Sequence, residues 1–141
     1  MKRVYVSGVL TGVDNLNELK KFYEEIAEVC SAAGMEAYVP HLYSDPVKNP
    51  QMTPREVYVL DRQRVSESDL VIAYAGAPSL GVGQEIEIAR ENELPVVLLM
   101  EKNAVISRMA RGNPAVIAEI RFTDFQDALL LLAKWLQEWK V

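Results

Sequence analysis

The 141-residue sequence has little cysteine, little histidine and no excess of basic charge. Because Cys30 is the one cysteine, the chain can form neither an internal disulfide nor a metal site built on paired thiols. Fifteen Lys and Arg against twenty Asp and Glu give a formal net charge of −5, which argues against nucleic-acid polymers and anionic membranes as partners. Backbone N–H groups can still bind one small phosphate locally.

The sequence also lacks a long apolar segment. Its apolar runs, such as Ala128 to Ala133, are far shorter than a membrane span. The apolar stretch that follows Arg3 ends at Gly8 and is too short for the core of a signal peptide. We therefore expect a cytoplasmic protein, and the length favours one domain over residues 1–141.

Strand and helix patterns alternate along the chain. The predicted strands are apolar and β-branched segments at 3–7, 37–40, 69–75, 95–100 and 115–122. The first predicted helix starts after Asp14 or Asn15 and ends at Gly34, and the second runs from Pro54 to about Ser66. Further helices are predicted after the 78–83 turn, over 105–111 and after 123, and 41–52 is predicted to be a long loop.

Two of these helices begin with a capping signal. Thr53, Pro54 and Glu56 form a capping box with proline at the first helical position. The segment that starts at Thr123 and ends at Gln126 is predicted to form a second capping box.

This alternation predicts an α/β, flavodoxin-like three-layer sandwich. Its five-stranded parallel sheet has the order 2-1-3-4-5 and carries helices on both faces. In such a sheet, ligands bind beyond the carboxyl ends of the strands where the strand order reverses, here between strands one and three. The glycine-bearing loops 7–12 and 77–85 meet at that point, which predicts a small-molecule site.

The second of these loops offers an anion pocket. Gly81 and Gly83 allow a ligand close to the backbone, and Ser79 adds a hydroxyl beside the free N–H groups of a helix N-terminus. Glu85 has two interpretations: an acid that complements the helix dipole, or a carboxylate aimed into the pocket as nucleophile or base. The loop is neither a Walker loop nor a dinucleotide fingerprint.

Four stretches together resemble the nucleoside 2-deoxyribosyltransferase superfamily, and most closely its 2′-deoxynucleoside 5′-phosphate N-hydrolase branch. They are Tyr-Val-Ser-Gly at 5–8, Asp61 with the strand at 69–73, Pro-Ser-Leu-Gly-Val-Gly-Gln-Glu at 78–85, and Ile-Ser-Arg-Met-Ala-Arg-Gly at 106–112. The resemblance implies a flavodoxin-like homodimer that cleaves an N-glycosidic bond. We expect no metal and no cofactor, because carboxylates supply the chemistry.

The resemblance also implies roles for individual residues. It places the nucleophile at Glu85, the aspartate that assists the departing base at Asp61, and the tyrosine that orients the nucleophile at Tyr5. The groups implied to bind the 5′-phosphate are Ser79, Gly81, Gly83 and, from the neighbouring subunit, Ser107. The further predicted substrate contacts are Ser7, Gly8, Thr11 and His41.

The chemistry of the reaction agrees with this assignment. Cleavage of a C1′–N bond develops oxocarbenium charge on the sugar, which a carboxylate stabilises, while the leaving base needs a proton. We therefore expect Glu85 to be ionised, helped by the helix N-terminus and by Tyr5. Asp61 needs a raised pKa to act as the acid, or acts through hydrogen bonds to the base.

Each of these residues also has a structural interpretation. Asp61 could be a solvated surface acid and Tyr5 a packed core residue. Ser79 could cap a helix, Ser107 could face solvent, and His41 could be structural.

The first loop departs from the branch. It reads Gly-Val-Leu-Thr-Gly at 8–12, where the branch typically has Gly-Ser-Ile-Arg-Gly, so Val9 and Thr11 replace two phosphate contacts. Hydrolysis of (deoxy)nucleoside 5′-monophosphates is the leading hypothesis. The missing arginine favours a 2-deoxyribosyltransferase on unphosphorylated nucleosides, and a non-catalytic nucleotide-binding module is the third hypothesis.

Overall fold

The computed structural model describes residues 1–139, and over this range the chain forms five strands and six helices. The strands are β1 (Arg3–Ser7), β2 (Glu36–Tyr38), β3 (Leu70–Tyr74), β4 (Val96–Glu101) and β5 (Val116–Phe122). The helices are α1 (Leu16–Ala32), α2 (His41–Ser44), α3 (Pro54–Ser66), α4 (Leu80–Glu91), α5 (Arg108–Arg111) and α6 (Phe125–Trp139).

The strands form one parallel sheet in the order β2-β1-β3-β4-β5. This confirms the predicted flavodoxin-like topology. The chain leaves β1 for β2 on one side and crosses to β3 on the other, so the carboxyl ends of β1 and β3 lie side by side. Ser7 pairs with Ala73 at this edge, where the two glycine-bearing loops begin.

Side chains of β1 alternate between two hydrophobic cores, one on each face of the sheet. Val4 and Val6 pack in the core that buried residues of α1 and α6 fill. Tyr5 packs in the opposite core, with residues of α4 that include Val82 and Ile86. Because strand side chains alternate, Ser7 faces the same side as Tyr5. Both hydroxyl groups therefore point toward α4.

The first capping box and the glycine at the end of α1 are confirmed. Thr53 Oγ1 accepts a hydrogen bond from the Glu56 N–H at 3.1 Å, and the Glu56 carboxylate accepts one from the Thr53 N–H at 2.9 Å. Pro54 occupies the first turn. Gly34 follows α1 with a φ of 82°, a left-handed conformation that glycine adopts at little cost.

Several predicted boundaries are wrong. The segment 41–52 begins with the short helix α2, because the N–H groups of Tyr43 and Ser44 both bond to the Pro40 carbonyl. Helix α1 begins directly after Asn15, as predicted, although the Asn15 side chain makes no capping hydrogen bond. The helix predicted over 105–111 is reduced to α5, which Ser107 caps.

The start of α6 also differs from the prediction. The capping carboxylate belongs to Asp124, whose Oδ1 accepts a hydrogen bond from the Asp127 N–H at 2.8 Å. Thr123 lies one residue earlier and donates its N–H to Asp127 at 2.9 Å. Asp127 therefore takes the position in the capping box that we predicted for Gln126. None of the helices within residues 1–139 is long and apolar enough to cross a membrane.

Candidate active site

A cavity of about 540 Å³ opens beyond the carboxyl ends of β1 and β3, between α3 and α4. A volume of this size is typical of small-molecule sites. Its charged and amide-bearing lining residues are Asn49, Asp61, Arg62, Gln84 and Glu85. Its other lining residues come mainly from the first loop and from the 44–58 segment, and they are Leu10, Thr11, Ser44, Pro46, Pro50, Met52, Pro54, Val57, Tyr58, Gly81 and Ile88.

Glu85 lies in the wall of this cavity, and both of its carboxylate oxygens accept hydrogen bonds. The Tyr5 hydroxyl donates to Oε2, and the Ser7 hydroxyl donates to Oε1 at 2.7 Å. Tyr5 and Ser7 are fully buried in β1, so the sheet fixes the position of both donors. The carboxylate is thus held in one orientation in the cavity wall. An acid that only complements the helix dipole would not require such fixed positioning.

Burial raises the pKa of Glu85 from 4.5 to about 7. The hydrogen bonds from Tyr5 and Ser7 act in the opposite direction because they stabilise the carboxylate, and the nearby charge of Asp61 adds to the increase. The cost of burying the charge of Glu85 thus exceeds the gain from the two hydrogen bonds, and the expected ionisation of Glu85 is only partial near neutral pH. Near neutral pH this carboxyl is close to half protonated.

Asp61 lines the same cavity from the middle of α3. Burial raises its pKa to about 6, in the direction that a general acid needs. Its Oδ1 atom is buried and has no hydrogen-bond partner within residues 1–139. Buried polar atoms are nearly always paired, so this oxygen is available to a ligand group in the cavity. Asp61 is not a solvated surface acid.

Tyr5 is both a core residue and a partner of Glu85. Its ring stacks on that of Tyr38, with centroids 5.7 Å apart and planes 26° from parallel. Burial, followed by the charge of Glu85, holds the pKa of Tyr5 well above its usual value. The hydroxyl therefore stays protonated and acts as a hydrogen-bond donor.

The predicted phosphate-binding residues divide between two cavities. Gly81 lines the cavity of Glu85, whereas Ser79, Gly83 and Ser107 line a neighbouring cavity of about 420 Å³ on the other side of the α4 N-terminus. Ser79 Oγ accepts a hydrogen bond from the Val82 N–H at 3.2 Å. Ser107 caps α5 in the same way, so both side chains have a structural role while their hydroxyl protons remain available to a ligand.

The glycines in the first turn of α4 are not needed for packing. A Cβ atom at Gly83 would have no neighbour within 4 Å, and one at Gly81 would meet only Ser79 Oγ, at 3.9 Å. Glycine in a helix costs about 0.5–1 kcal/mol relative to alanine, so an approaching ligand or partner is the better reason for its presence. Gly8 differs, because a Cβ there would lie 2.2 Å from the buried ring of Tyr23. Packing within the chain therefore explains Gly8.

Thr11 and His41 have different positions relative to the site. Thr11 lines the Glu85 cavity, as predicted for a substrate contact. His41 is buried in α2, where its Nε2 lies 2.8 Å from the carboxylate of Glu24 in α1. It belongs to neither of the two cavity linings, so the structure does not bring it to the other predicted site residues.

Sequence reasoning missed most of the apolar wall formed by the 44–58 segment and the two residues that face it, Arg62 and Gln84. One signal was present. The run from Val57 to Leu60 is apolar at four consecutive helical positions, and so wide a stripe cannot all face the sheet. Within residues 1–139, no group of three His, Cys, Asp or Glu side chains is arranged to hold a metal ion.

Comparison with known proteins assigns the chain to a family. No protein-family model matches it. A curated protein of Methanosarcina mazei, named "Putative 2′-deoxynucleoside 5′-phosphate N-hydrolase 1", is 32% identical over 130 residues, which are 91% of this chain and 79% of that protein. A protein of the same name from Thermofilum pendens is 32% identical over 114 residues, 78% of this chain and 77% of the relative.

Solved structures agree on the fold. A CMP N-glycosidase from Clostridium botulinum has a TM-score of 0.73 at 24% identity, covering 95% of this chain and 99% of its own. A 2-deoxyribosyltransferase from Bacillus psychrosaccharolyticus has a TM-score of 0.66 at 16% identity, covering 90% of each chain. The chain thus shares the fold of these two proteins. The curated relatives show that the chain belongs to the 2′-deoxynucleoside 5′-phosphate N-hydrolase family, and it is an enzyme of the N-glycosidase class.

Proposed function

We propose that this enzyme hydrolyses the N-glycosidic bond of (deoxy)nucleoside 5′-monophosphates to free base and (deoxy)ribose 5-phosphate. The observation that carries the proposal is the Glu85 carboxylate, which Tyr5 and Ser7 hold in the wall of a cavity that Asp61 also lines. Two carboxyl groups facing one small-molecule cavity are the arrangement that glycosidic bond cleavage uses. The names of the relatives support the same class of substrate.

In the first step, a carboxylate oxygen of Glu85 bonds to C1′ as the C1′–N bond breaks. The electron pair of that bond leaves with the base, and Asp61 donates a proton to the base. In the second step, water attacks C1′, Asp61 takes up the proton of this water, and the bond from C1′ to Glu85 breaks. Both carboxyl groups then return to their starting states, and no further reactant is needed.

The mechanism needs Glu85 ionised and Asp61 protonated, whereas in the free protein the pKa of Glu85, about 7, lies above that of Asp61, about 6. The bound substrate therefore has to reverse this order. Positive charge that develops at C1′ in the transition state stabilises the ionised form of Glu85. A base placed against Asp61 excludes water from that carboxyl and keeps its pKa raised. The hydrogen bonds add to the difference, since two donors stabilise the Glu85 anion while Asp61 Oδ1 has no partner within residues 1–139.

The N-terminus of α4 is the proposed phosphate site. Gly81 and Gly83 leave open space over their backbones, and the first N–H groups of a helix favour an anion. Ser79 and Ser107 of the same chain line the second cavity at this N-terminus. In the proposed homodimer, Ser107 of a neighbouring subunit adds a further hydroxyl to the phosphate site. Leu80, Val105 and Met109 support such an interface, because these apolar side chains are almost fully exposed near the second cavity.

A product assay tests the proposed function. The enzyme is incubated with deoxy- and ribonucleoside 5′-monophosphates and with the matching nucleosides, and released base is measured by chromatography. We expect base release from monophosphates, its loss in Glu85→Gln, and its retention in the matched variant Glu87→Gln, whose exposed side chain pairs with Arg90 on the same helix. Ligand binding without turnover of any compound would instead select the non-catalytic module.

One observation favours a second candidate. The first loop presents Leu10 and Thr11 to the cavity, neither of which is a cation that could pair with a phosphate. A 2-deoxyribosyltransferase acting on unphosphorylated nucleosides would form the same Glu85 intermediate and pass the sugar to a second base. Adding a free acceptor base to the nucleoside reactions separates the two candidates, because only the transferase makes a new nucleoside.

A further inference from the structure

Arg62 lines the active-site cavity but has no part in the proposed mechanism. In residues 1–139 it is the cationic side chain of this lining, and it follows Asp61 directly on α3. Its Nη2 donates to the Glu91 carboxylate at 2.9 Å, and its Nη1 donates to the Tyr58 hydroxyl at 3.3 Å. The Glu91 contact ties Arg62 to the last turn of α4, and the Tyr58 contact lies within α3.

The contact of Arg62 with Glu91, at the end of α4, places the guanidinium at the base end of a bound nucleotide. Gly81 lies in the first turn of α4, Glu85 one turn later, and Ile88 and Glu91 in the following turns, at about 1.5 Å per residue. A nucleotide carries its phosphate and its base at opposite ends of the sugar, on C5′ and on C1′. With phosphate beside Gly81 and C1′ beside Glu85, the base extends toward Ile88 and the Arg62–Glu91 pair.

The chemistry of a guanidinium restricts which base edge it can contact. Arginine offers only hydrogen-bond donors, so it pairs with an oxo group at the base edge. An amino group at the same position offers it no acceptor and leaves only the adjacent ring nitrogen. Tyr58 accepts from Arg62, which leaves the phenolic proton free as a further donor toward the cavity. The neighbouring amides of Asn49 and Gln84 both donate and accept, so they suit either kind of edge.

Arg62 can turn toward a ligand at little cost. The side chains of Arg62 and Glu91 are 42% and 43% exposed, and exposed ion pairs of this kind contribute little to stability. Glu91 remains beside the guanidinium when one donor turns to the base. No unpaired charge is therefore buried by such a contact.

We infer that Arg62 makes the enzyme prefer bases that carry an oxo group where adenine and cytosine carry an amino group. The inference rests on the proposed function and names the substrate class that the same site selects. It concerns the outer edge of the base, whereas Asp61 acts near the glycosidic bond.

Two pairs of substrates test this preference without changing ring size. Deoxyinosine and deoxyadenosine monophosphates differ in their 6-oxo and 6-amino groups, and deoxyuridine and deoxycytidine monophosphates differ in the same way at position 4. We expect kcat/KM to favour the oxo member of each pair by about tenfold or more, the discrimination typical of an arginine contact to a base. In Arg62→Gln this ratio falls by about tenfold, because an amide also pairs with an amino-bearing edge.

The control is Arg90→Gln, which removes a similarly exposed arginine–glutamate pair outside the cavity lining. This variant should leave the oxo-to-amino ratios of kcat/KM unchanged. A second variant, Glu91→Gln, releases Arg62 from its partner and keeps or increases the oxo preference. Equal kcat/KM values in the wild-type pairs, or ratios unchanged in Arg62→Gln, would overturn the inference. If the wild type cleaves no nucleotide, the proposed function fails instead, and calorimetric binding of the same four nucleotides to the wild type decides the role of Arg62.

Discussion

Replacing Glu85 by Gln should stabilise the fold at alkaline pH, although it removes the proposed nucleophile. Burial raises the pKa of Glu85 from its ordinary 4.5 to about 7 in the folded protein. The folded state therefore binds a proton more tightly than the unfolded chain does. The contribution of this group to stability is fully present below about pH 4.5 and is lost as the pH rises through about 7.

The magnitude follows from the two pKa values. The pKa of Glu85 differs between the unfolded chain, 4.5, and the folded protein, about 7. This difference corresponds to about 3 kcal/mol of unfolding free energy, which the wild type loses as the pH rises from about 4 to 8. Glutamine has the same shape and no charge. Its amide oxygen can accept the Tyr5 hydrogen bond and its amide nitrogen can donate to Ser7 Oγ, so the variant keeps both contacts without the desolvation cost.

Urea unfolding of the wild type and Glu85→Gln at several pH values between 4 and 8 measures this effect. We expect equal free energies of unfolding near pH 4 and a variant more stable by up to about 3 kcal/mol at pH 8. Glu87→Gln should show no such gain, because hydrogen bonding to Arg90 lowers the pKa of Glu87. A variant that is less stable than the wild type at pH 8, or a difference that does not change with pH, would refute the reasoning.

Three further predictions concern individual contacts. Asp61→Asn should lower kcat by about 10²–10⁴-fold and remove the alkaline limb of the pH–rate profile, since no group then protonates the base; an unchanged profile would contradict this. Tyr5→Phe should lower kcat/KM by about 10- to 100-fold and move the acid limb to higher pH, because Glu85 loses a donor that lowers its pKa; steady-state kinetics across pH measures both. Gly83→Ala should raise the free energy of unfolding by about 0.5–1 kcal/mol and raise KM for monophosphates but not for nucleosides. Gly8→Ala should lower the free energy of unfolding by about 1–3 kcal/mol, because its methyl group would meet a tyrosine ring. Calorimetric unfolding and kinetics with both substrate classes separate the two glycines.

The strand order could be predicted from the sequence because it rests on strong local signals. Apolar runs such as the one at 70–74 alternate with capped helices, and a parallel sheet covered on both faces is the architecture that buries them. The meeting of β1 with β3 then follows from the topology alone. Because side chains alternate along a strand, Tyr5 and Ser7 lie on one face of β1. Their contact with Glu85 is therefore a consequence of the fold.

Other features could not be predicted because they depend on the balance between large opposing effects. The protonation of Glu85 depends on burial against two hydrogen bonds, and no sequence pattern reveals which is larger. The separation of Gly81 from Ser79 and Gly83 into different cavities arises from the helical turn between them and from the loops on each side. The burial of His41 beside Glu24 depends on how α2 packs against α1.

The stereochemistry of sugar transfer tests the central claim, that Glu85 bonds to C1′, most directly. The reaction is run in dilute methanol, which competes with water for the sugar, and the methyl glycoside is examined by NMR. Two displacements at C1′ return the sugar to its original configuration, so the account predicts the β-methyl glycoside from a β-nucleotide and none from Glu85→Gln. An α-methyl glycoside, or a β-product formed equally well by Glu85→Gln, would contradict it.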